Sequence, residues 1–131
     1  MEKQPLGLYI HIPYCIHKCG YCDFNSHPIK HDEMDHYIDA LVAEMQHYAK
    51  IYSNTNIIKT IFLGGGTPTT LTVYQLERIL TECVNEFKVS PDAEITIEAN
   101  PATIDIEQMK SIRQTGYNRI SIGAQSFDKA E

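Results

Sequence analysis

The sequence predicts an α/β protein in which parallel strands alternate with helices, either as a doubly wound sheet or as part of a (β/α) barrel. Three observations predict this fold class. Four short segments rich in β-branched residues alternate with segments whose apolar residues recur every three or four residues. Turn residues separate these segments. Every connection between two strands is long enough to contain a helix. Crossovers of this length join parallel strands and are right-handed.

The first unit is a strand, a loop and a long helix. Residues 6–12 are β-branched and aromatic and end at Pro13, and a loop rich in Cys, Gly, Asn and Ser extends to about residue 29. Asp32 has the position of an N-cap, and Asp35 that of the acid in a capping box. Apolar residues at helical spacing follow, namely Met34, Ile38, Leu41, Met45, Tyr48 and Tyr52.

The remaining units repeat the alternation. A strand at residues 57–63 is apolar enough to be covered on both faces, and a helix follows it. A third strand covers residues 94–99, a third helix covers residues 106–115 with Gly116 as its C-cap, and a fourth strand covers residues 119–123. The apolar side of the second helix consists of Leu76, Ile79, Leu80, Cys83, Val84 and Phe87.

Composition excludes several classes of function. The 131 residues fit one domain with a real core, and the formal net charge is −6, from 17 acids against 11 Lys and Arg. An acidic chain without a basic stripe argues against a nucleic acid as partner. Apolar runs are only a few residues long, and the first residues lack the pattern of a signal peptide. We therefore expect no membrane span and a cytoplasmic location.

Three of the four cysteines lie within eight residues, in the loop after the first strand. Cys15, Cys19 and Cys22 have the spacing C-x3-C-x2-C. Cysteines of a cytoplasmic chain are reduced, so a metal or catalytic role is favoured over disulfides. Three thiolates on one loop can hold a four-iron four-sulfur cluster and leave one iron open to a ligand.

Two other interpretations of these cysteines stay open. A zinc site could use the same thiolates with His11, His17 or His27 as the fourth ligand, since three Cys and one His are a common zinc set. The cysteines could also be buried structural residues. The fourth cysteine, Cys83, lies within the apolar periodicity of the second helix, which predicts core packing and no ligand role.

Glycines and polar residues follow the other strands. The glycine loop, residues 64–68 with the sequence GGGTP, lies between a strand and a helix, where glycine lets the backbone approach a ligand. Glu98 lies near the end of the third strand, and Gln125 follows the fourth. In parallel barrels functional groups gather at such strand ends, and a carboxylate there can accept from ribose hydroxyls. The structural alternatives are an ordinary turn at the glycines and an ion pair of Glu98 with Arg119 or a lysine.

Several of these segments together resemble the radical SAM superfamily. Residues 9–15 read YIHIPYC, the three-cysteine spacing follows, and residues 21–24 read YCDF. The branch that they resemble contains oxygen-independent coproporphyrinogen III oxidase and the HemW heme chaperone. The resemblance implies a partial (β/α) parallel barrel with about four βα units. We therefore expect residues 1–131 to be the N-terminal part of a radical SAM core domain, without the rest of that core and without a C-terminal domain.

The resemblance also implies cofactors and site residues. A four-iron four-sulfur cluster would be held by Cys15, Cys19 and Cys22, and its open iron would bind the amino and carboxylate groups of S-adenosylmethionine. One electron from the cluster would cleave that cofactor to methionine and a 5′-deoxyadenosyl radical. Positions that hold S-adenosylmethionine are matched by Tyr9, Gly65 and Glu98. A second cofactor-binding region is matched by Tyr21, Gly66, Thr67 and Gln125.

One position separates two functions within this branch. The oxidase carries a further cysteine two places after the third, and Phe24 stands there in this chain, as in the HemW branch. We therefore expect a heme chaperone, with a tetrapyrrole and an unidentified electron donor as partners. The alternatives are an oxygen-independent coproporphyrinogen III oxidase, which decarboxylates its substrate to protoporphyrinogen, and a zinc-binding structural module. The segment by itself is expected to be inactive.

Overall fold

The computed structural model describes residues 3–13, 31–101 and 104–122, except the side chains of His31 and Asp32. Four parallel strands form one sheet in the order β1-β2-β3-β4. The elements are β1 (Gln4–Ile12), α1 (His31–Tyr52), β2 (Asn56–Gly65), a 3-10 helix (Pro68–Thr70), α2 (Val73–Glu86), β3 (Val89–Ala99), α3 (Ile106–Thr115) and β4 (Arg119–Ile122).

The strand order confirms the α/β prediction and decides between its two forms. Each strand pairs with the next strand in sequence, so the described sheet has no point at which the strand order reverses. A doubly wound sheet requires such a reversal, whereas a (β/α) barrel adds its strands in succession. Right-handed crossovers then place all three helices on the same face of the sheet.

The hydrophobic core lies between these helices and the sheet. Alternate strand residues point toward the helices, and fully buried examples are Ile12, Ile61, Leu63 and Ile97. Burying each such side chain stabilises the fold by about 1.5–3 kcal/mol. The helices contribute Met34, Ile38, Met45, Leu76, Ile79, Cys83 and Ile112.

The opposite face of the described sheet is not covered by the helices. Tyr9 is 60% exposed there, and Phe62 is half-buried against the Tyr9 ring, with the ring centroids 5.9 Å apart. The expectation that β2 is covered on both faces was therefore wrong for the described part of the chain. Successive right-handed crossovers cover only the face on which Ile61 and Leu63 lie.

Two details of the helices differ from the sequence prediction. α1 begins at His31, so Asp32 lies inside the helix, and the Asp35 carboxylate accepts a hydrogen bond from Gln75 Nε2 at 3.0 Å. Val84 is 54% exposed, because it lies at the edge of the apolar face that α2 turns to the core. Gly116 does end α3 as predicted, with a φ of 126°.

The strand bounds differ in a way that affects the site. β2 extends through Gly64 to Gly65, so two of the three glycines are strand residues. β3 begins at Val89, where it pairs with Ile58, five residues earlier than predicted. Among the described helices, none is both long and apolar enough to cross a membrane.

Candidate cofactor site at the strand ends

The end of β2 is a stretch of backbone with no room for side chains. A Cβ on Gly64 would lie 2.5 Å from Glu98 Oε1 and 3.0 Å from the Tyr9 hydroxyl oxygen. A Cβ on Gly65 would lie 2.6 Å from the Ile12 carbonyl oxygen, and Gly65 has a φ of 115°, which L side chains rarely adopt. Glycine is therefore required at Gly65 by contact with the backbone and by backbone conformation, whereas a side chain at position 64 would displace the Glu98 and Tyr9 side chains from their observed positions.

Glu98 on β3 is bonded to this stretch. Its Oε1 accepts a hydrogen bond from the Gly65 backbone N–H at 2.9 Å, and its side chain is half-buried. Arg119, one predicted alternative partner, pairs instead with Glu94 at 3.4 Å. A carboxylate has more than one acceptor position, so Glu98 can also accept from ligand hydroxyl or ammonium groups.

Tyr9 completes this group on the open face. Its hydroxyl oxygen lies 3.3 Å from His11 Nδ1, and its ring stacks against Phe62 with an interplanar angle of 18°. The ring of His11 lies against Gly65, because a Cβ there would approach its Cε1 and Nδ1 to 2.8 Å. The alternation of His11 with Ile10 and Ile12 in the sequence is the signal that places it on this face.

The glycine loop is also bonded to the end of β1. Ile12 pairs with Gly65 in the register of the two strands, and Gly66 donates its N–H to the Ile12 carbonyl at 2.7 Å. The Tyr37 hydroxyl of α1 donates to the His11 carbonyl. Residues 14–30 connect β1 to α1, so the chain enters the cysteine segment at the same edge of the sheet as Gly65.

Beyond the glycines the chain forms a compact turn. Thr67 is buried, and its carbonyl accepts from the Thr70 N–H at 2.9 Å and from Thr70 Oγ1 at 2.7 Å. Gly66 is half-buried. Because Thr67 is buried by the described residues and Gly65 is exposed, a ligand can reach Gly65 more easily than the Thr67 side chain.

The structure thus brings together three of the predicted site residues, Tyr9, Gly65 and Glu98, with Gly66 and Thr67 adjacent in the chain. The combination of an exposed aromatic ring, bare backbone and a carboxylate suits a small ligand with amino and hydroxyl groups. The other predicted residues lie outside the described part of the chain, namely Cys15, Cys19, Tyr21, Cys22 and Gln125, as do Phe24, His17 and His27.

Two buried titratable groups belong to the core and not to this site. Cys83 is fully buried in α2, as predicted, and burial together with the smaller effect of the Glu82 charge raises the pKa of its thiol to about 12. Burial, with a further contribution from Cys83, also raises the pKa of Tyr117. The Tyr117 hydroxyl donates to the Leu76 carbonyl at 2.8 Å, which links the turn between α3 and β4 to α2.

Comparison with known proteins places the chain in a sequence family. The family model described as the Radical SAM superfamily matches residues 9–130. The heme chaperone HemW of Escherichia coli (strain K12) is 43% identical over 130 residues, which are 98% of this chain. The oxygen-independent coproporphyrinogen III oxidase of Salmonella typhimurium is 37% identical over 128 residues, which are 97% of this chain.

A solved structure agrees with the sequence relatives. Coproporphyrinogen III oxidase (HemN) from Escherichia coli, described as a radical SAM enzyme, superimposes with a TM-score of 0.86 at 36% identity over 98% of this chain. The chain spans only part of each relative: 34% of HemW, 28% of the Salmonella oxidase and 30% of the solved HemN chain.

Proposed function

The chain belongs to the radical SAM superfamily, and from that premise we propose that it binds a four-iron four-sulfur cluster and S-adenosylmethionine. The donor set fits the cluster, because Cys15, Cys19 and Cys22 supply three soft thiolates at short spacing. The observation that carries the proposal is the backbone cradle at Gly64 and Gly65, which has Glu98 and Tyr9 beside it.

The described residues have distinct roles in this proposal. The bare backbone at Gly65 lets the amino-acid end of the cofactor approach the β2 end without steric conflict. The Glu98 carboxylate accepts from the ribose hydroxyls while it stays bonded to the Gly65 N–H, and Tyr9 offers an exposed ring for packing. When bound, the cluster and its cofactor supply one-electron chemistry that generates a carbon-centred radical.

We also propose a second cofactor-binding region, formed by Gly66 and Thr67 together with Tyr21 and Gln125. Its support is the family resemblance and the position of Gly66 directly after the cradle. The buried Thr67 side chain means that backbone groups would make the contact at that residue. Catalytic residues are not assigned within this chain.

We propose further that the protein is a heme chaperone of the HemW type. The support is the 43% identity to HemW of Escherichia coli, together with Phe24 at the position where the oxidase carries a fourth cysteine. The proposal places the protein in heme metabolism with a tetrapyrrole as its ligand. An oxygen-independent coproporphyrinogen III oxidase is the second candidate, favoured by the structural agreement with HemN.

Two measurements on the intact protein test these proposals. Analysis of anaerobically purified protein should find iron and acid-labile sulfide, whereas one zinc without sulfide would refute the cluster. Incubation with coproporphyrinogen III, S-adenosylmethionine and a reductant should form no protoporphyrinogen, while heme added to the same protein should bind. Turnover of coproporphyrinogen would overturn the chaperone proposal and support the oxidase.

A further inference from the structure

The turn after the glycine loop is joined to α1 by one buried amide side chain. Gln75, in the first turn of α2, is 5% exposed. Its Oε1 accepts from the Thr72 N–H at 2.9 Å, and its Nε2 donates to Asp35 Oδ1 at 3.0 Å. The Thr72 hydroxyl accepts from the Gln75 N–H at 3.1 Å, which completes a capping box. Gln75 therefore does more than cap its own helix.

The contact with Asp35 links the two parts of the chain that the proposed site requires. Asp35 lies near the start of α1, the helix that follows the cysteine segment, and Gln75 follows the glycine loop by one short turn. From the opposite side, Gln108 of α3 donates its Nε2 to the Thr69 carbonyl at 3.0 Å. The turn between the glycines and α2 is thus held by side-chain amides from two helices.

We propose that Gln75 is a positioning residue that holds the glycine loop at a fixed distance from α1, an inference that rests on the proposed function. The loop has little freedom to absorb a displacement, because Gly66 is bonded to Ile12 at 2.7 Å and Gly65 is held at a φ of 115°. A shift of the turn would therefore move the backbone that the cofactor must meet.

A nearby contact between the same helices provides a matched control. Arg78 of α2 pairs with Asp39 of α1 at 2.6 Å, one helical turn beyond the Gln75 contact. Both partners of this ion pair are substantially exposed, and exposed pairs add little to stability. The Gln75 side chain is buried and its amide bonds to both Thr72 and Asp35, so its loss breaks both links, while the exposed Asp35 and Thr72 become hydrated.

Gln75→Glu isolates the link to α1. The new carboxylate can still accept from the Thr72 N–H and keep the capping box, but it cannot donate to Asp35 and repels it. We expect S-adenosylmethionine to bind about tenfold more weakly to the reconstituted intact protein, as is common when supports of ligand-holding groups are lost. Iron and sulfide content should be unchanged. Without cofactor, hydrogen exchange over residues 64–72 should accelerate.

A double variant should restore the contact between the two helices. Asp35→Asn combined with Gln75→Glu exchanges donor and acceptor, so the bond between the two helices can form again. We expect it to recover cofactor affinity and slow exchange over residues 64–72. Asp39→Asn, which breaks the exposed ion pair, should alter neither quantity.

The outcomes separate this inference from the function on which it rests. If the unsubstituted protein binds the cofactor and Gln75→Glu binds it equally well, Gln75 is not a positioning residue, even if its unfolding temperature falls. Failure of the double variant to recover affinity would overturn the inference too. If the unsubstituted protein does not bind S-adenosylmethionine, the proposed function is wrong. The hydrogen-exchange rates over residues 64–72 in Gln75→Glu and in the unsubstituted protein still decide whether Gln75 holds the turn.

Discussion

The Glu98 carboxylate at the end of β3 accepts a hydrogen bond from the Gly65 N–H at the end of β2 over 2.9 Å. Gly64 precedes Gly65 in β2, and a Cβ there would be 2.5 Å from the same carboxylate oxygen. A side chain at position 64 would therefore displace the Glu98 carboxylate from this contact. It gives the Gly65 N–H a partner and holds a carboxylate at the proposed cofactor site.

Substitution of Glu98 should separate its two roles. Glu98→Gln keeps an amide oxygen that can accept from Gly65, so we expect the unfolding temperature to change little. The neutral side chain should bind the ribose hydroxyls less strongly, with S-adenosylmethionine affinity lower by about tenfold. Glu98→Ala should also destabilise the protein by about 1 kcal/mol, because Gly65 loses its partner. Affinity can be followed by isothermal titration under anaerobic conditions.

The matched control for Glu98 is Glu94, four residues earlier on the same strand. Glu94 is exposed and pairs with Arg119 at 3.4 Å, away from the glycines. Glu94→Gln should leave cofactor affinity unchanged. Equal losses in Glu94→Gln and Glu98→Gln would indicate a general effect of charge and not a contact at position 98.

Two glycines with positive φ allow a second matched comparison. Gly65 has a φ of 115° at the site, and Gly116 has a φ of 126° at the end of α3. We expect Gly65→Ala and Gly116→Ala each to lower the free energy of unfolding by about 1–3 kcal/mol, because alanine is strained in this conformation. Only Gly65→Ala should abolish cofactor binding. Loss of binding in Gly116→Ala as well would mean that instability, and not the cradle, explains the effect.

The cysteines predict opposite results for two similar substitutions. Cys19→Ala should abolish the cluster, since three thiolates are needed to hold it. Cys83→Ala removes a thiol buried in the core, so the cluster should persist while stability falls by about 1 kcal/mol. Iron and sulfide analysis of both variants is the measurement. Equal loss of iron in both would contradict the assignment of Cys83 to the core.

The buried thiol also predicts a dependence of stability on alkaline pH. Burial raises the pKa of Cys83 from 9.0 to about 12, so above pH 9.0 the thiol ionises in the unfolded chain before it does in the folded protein. Its contribution to stability is therefore complete below pH 9.0 and is lost progressively as the pH rises toward 12.

Urea unfolding at a series of pH values checks this dependence. The stability advantage of the unsubstituted protein over Cys83→Ala should shrink, by at most about 1.4 kcal/mol per pH unit in that range. The substitution removes the thiol and leaves the other titrating groups in place, so it serves as the control. A difference that stays constant from neutral to alkaline pH would contradict the burial of an intact thiol.

The sequence predicted most of the fold because local patterns determine it. The bounds of α3 followed from Ile106, Thr115 and the terminating Gly116 alone. The early start of β3 was missed because Pro91 and Asp92 are poor strand formers, and they lie in a register shift between the Val89–Ile58 and Glu94–Thr60 pairs. The start of α1 was two residues off, within the usual uncertainty of helix ends.

The site was predictable in outline only. Strand-end positions predicted that Gly65 and Glu98 would lie near one another, because carboxyl ends of parallel strands share one edge of the sheet. The bond between them depends on strand register, and that between Gln75 and Asp35 joins residues 40 apart in sequence. Local patterns carry no information on contacts of this kind. The cofactor roles of Tyr9, Gly65 and Glu98 stay predictions until they are measured.

The most direct test of the account is electron paramagnetic resonance of the anaerobically reconstituted and reduced protein, with and without S-adenosylmethionine. We predict the signal of a reduced four-iron four-sulfur cluster that shifts when the cofactor is added, because one iron is open to it. The shift should be lost in Gly65→Ala and retained in Gly116→Ala. A cluster signal that does not change when the cofactor is added, or a protein that binds zinc and forms no cluster, would contradict the account.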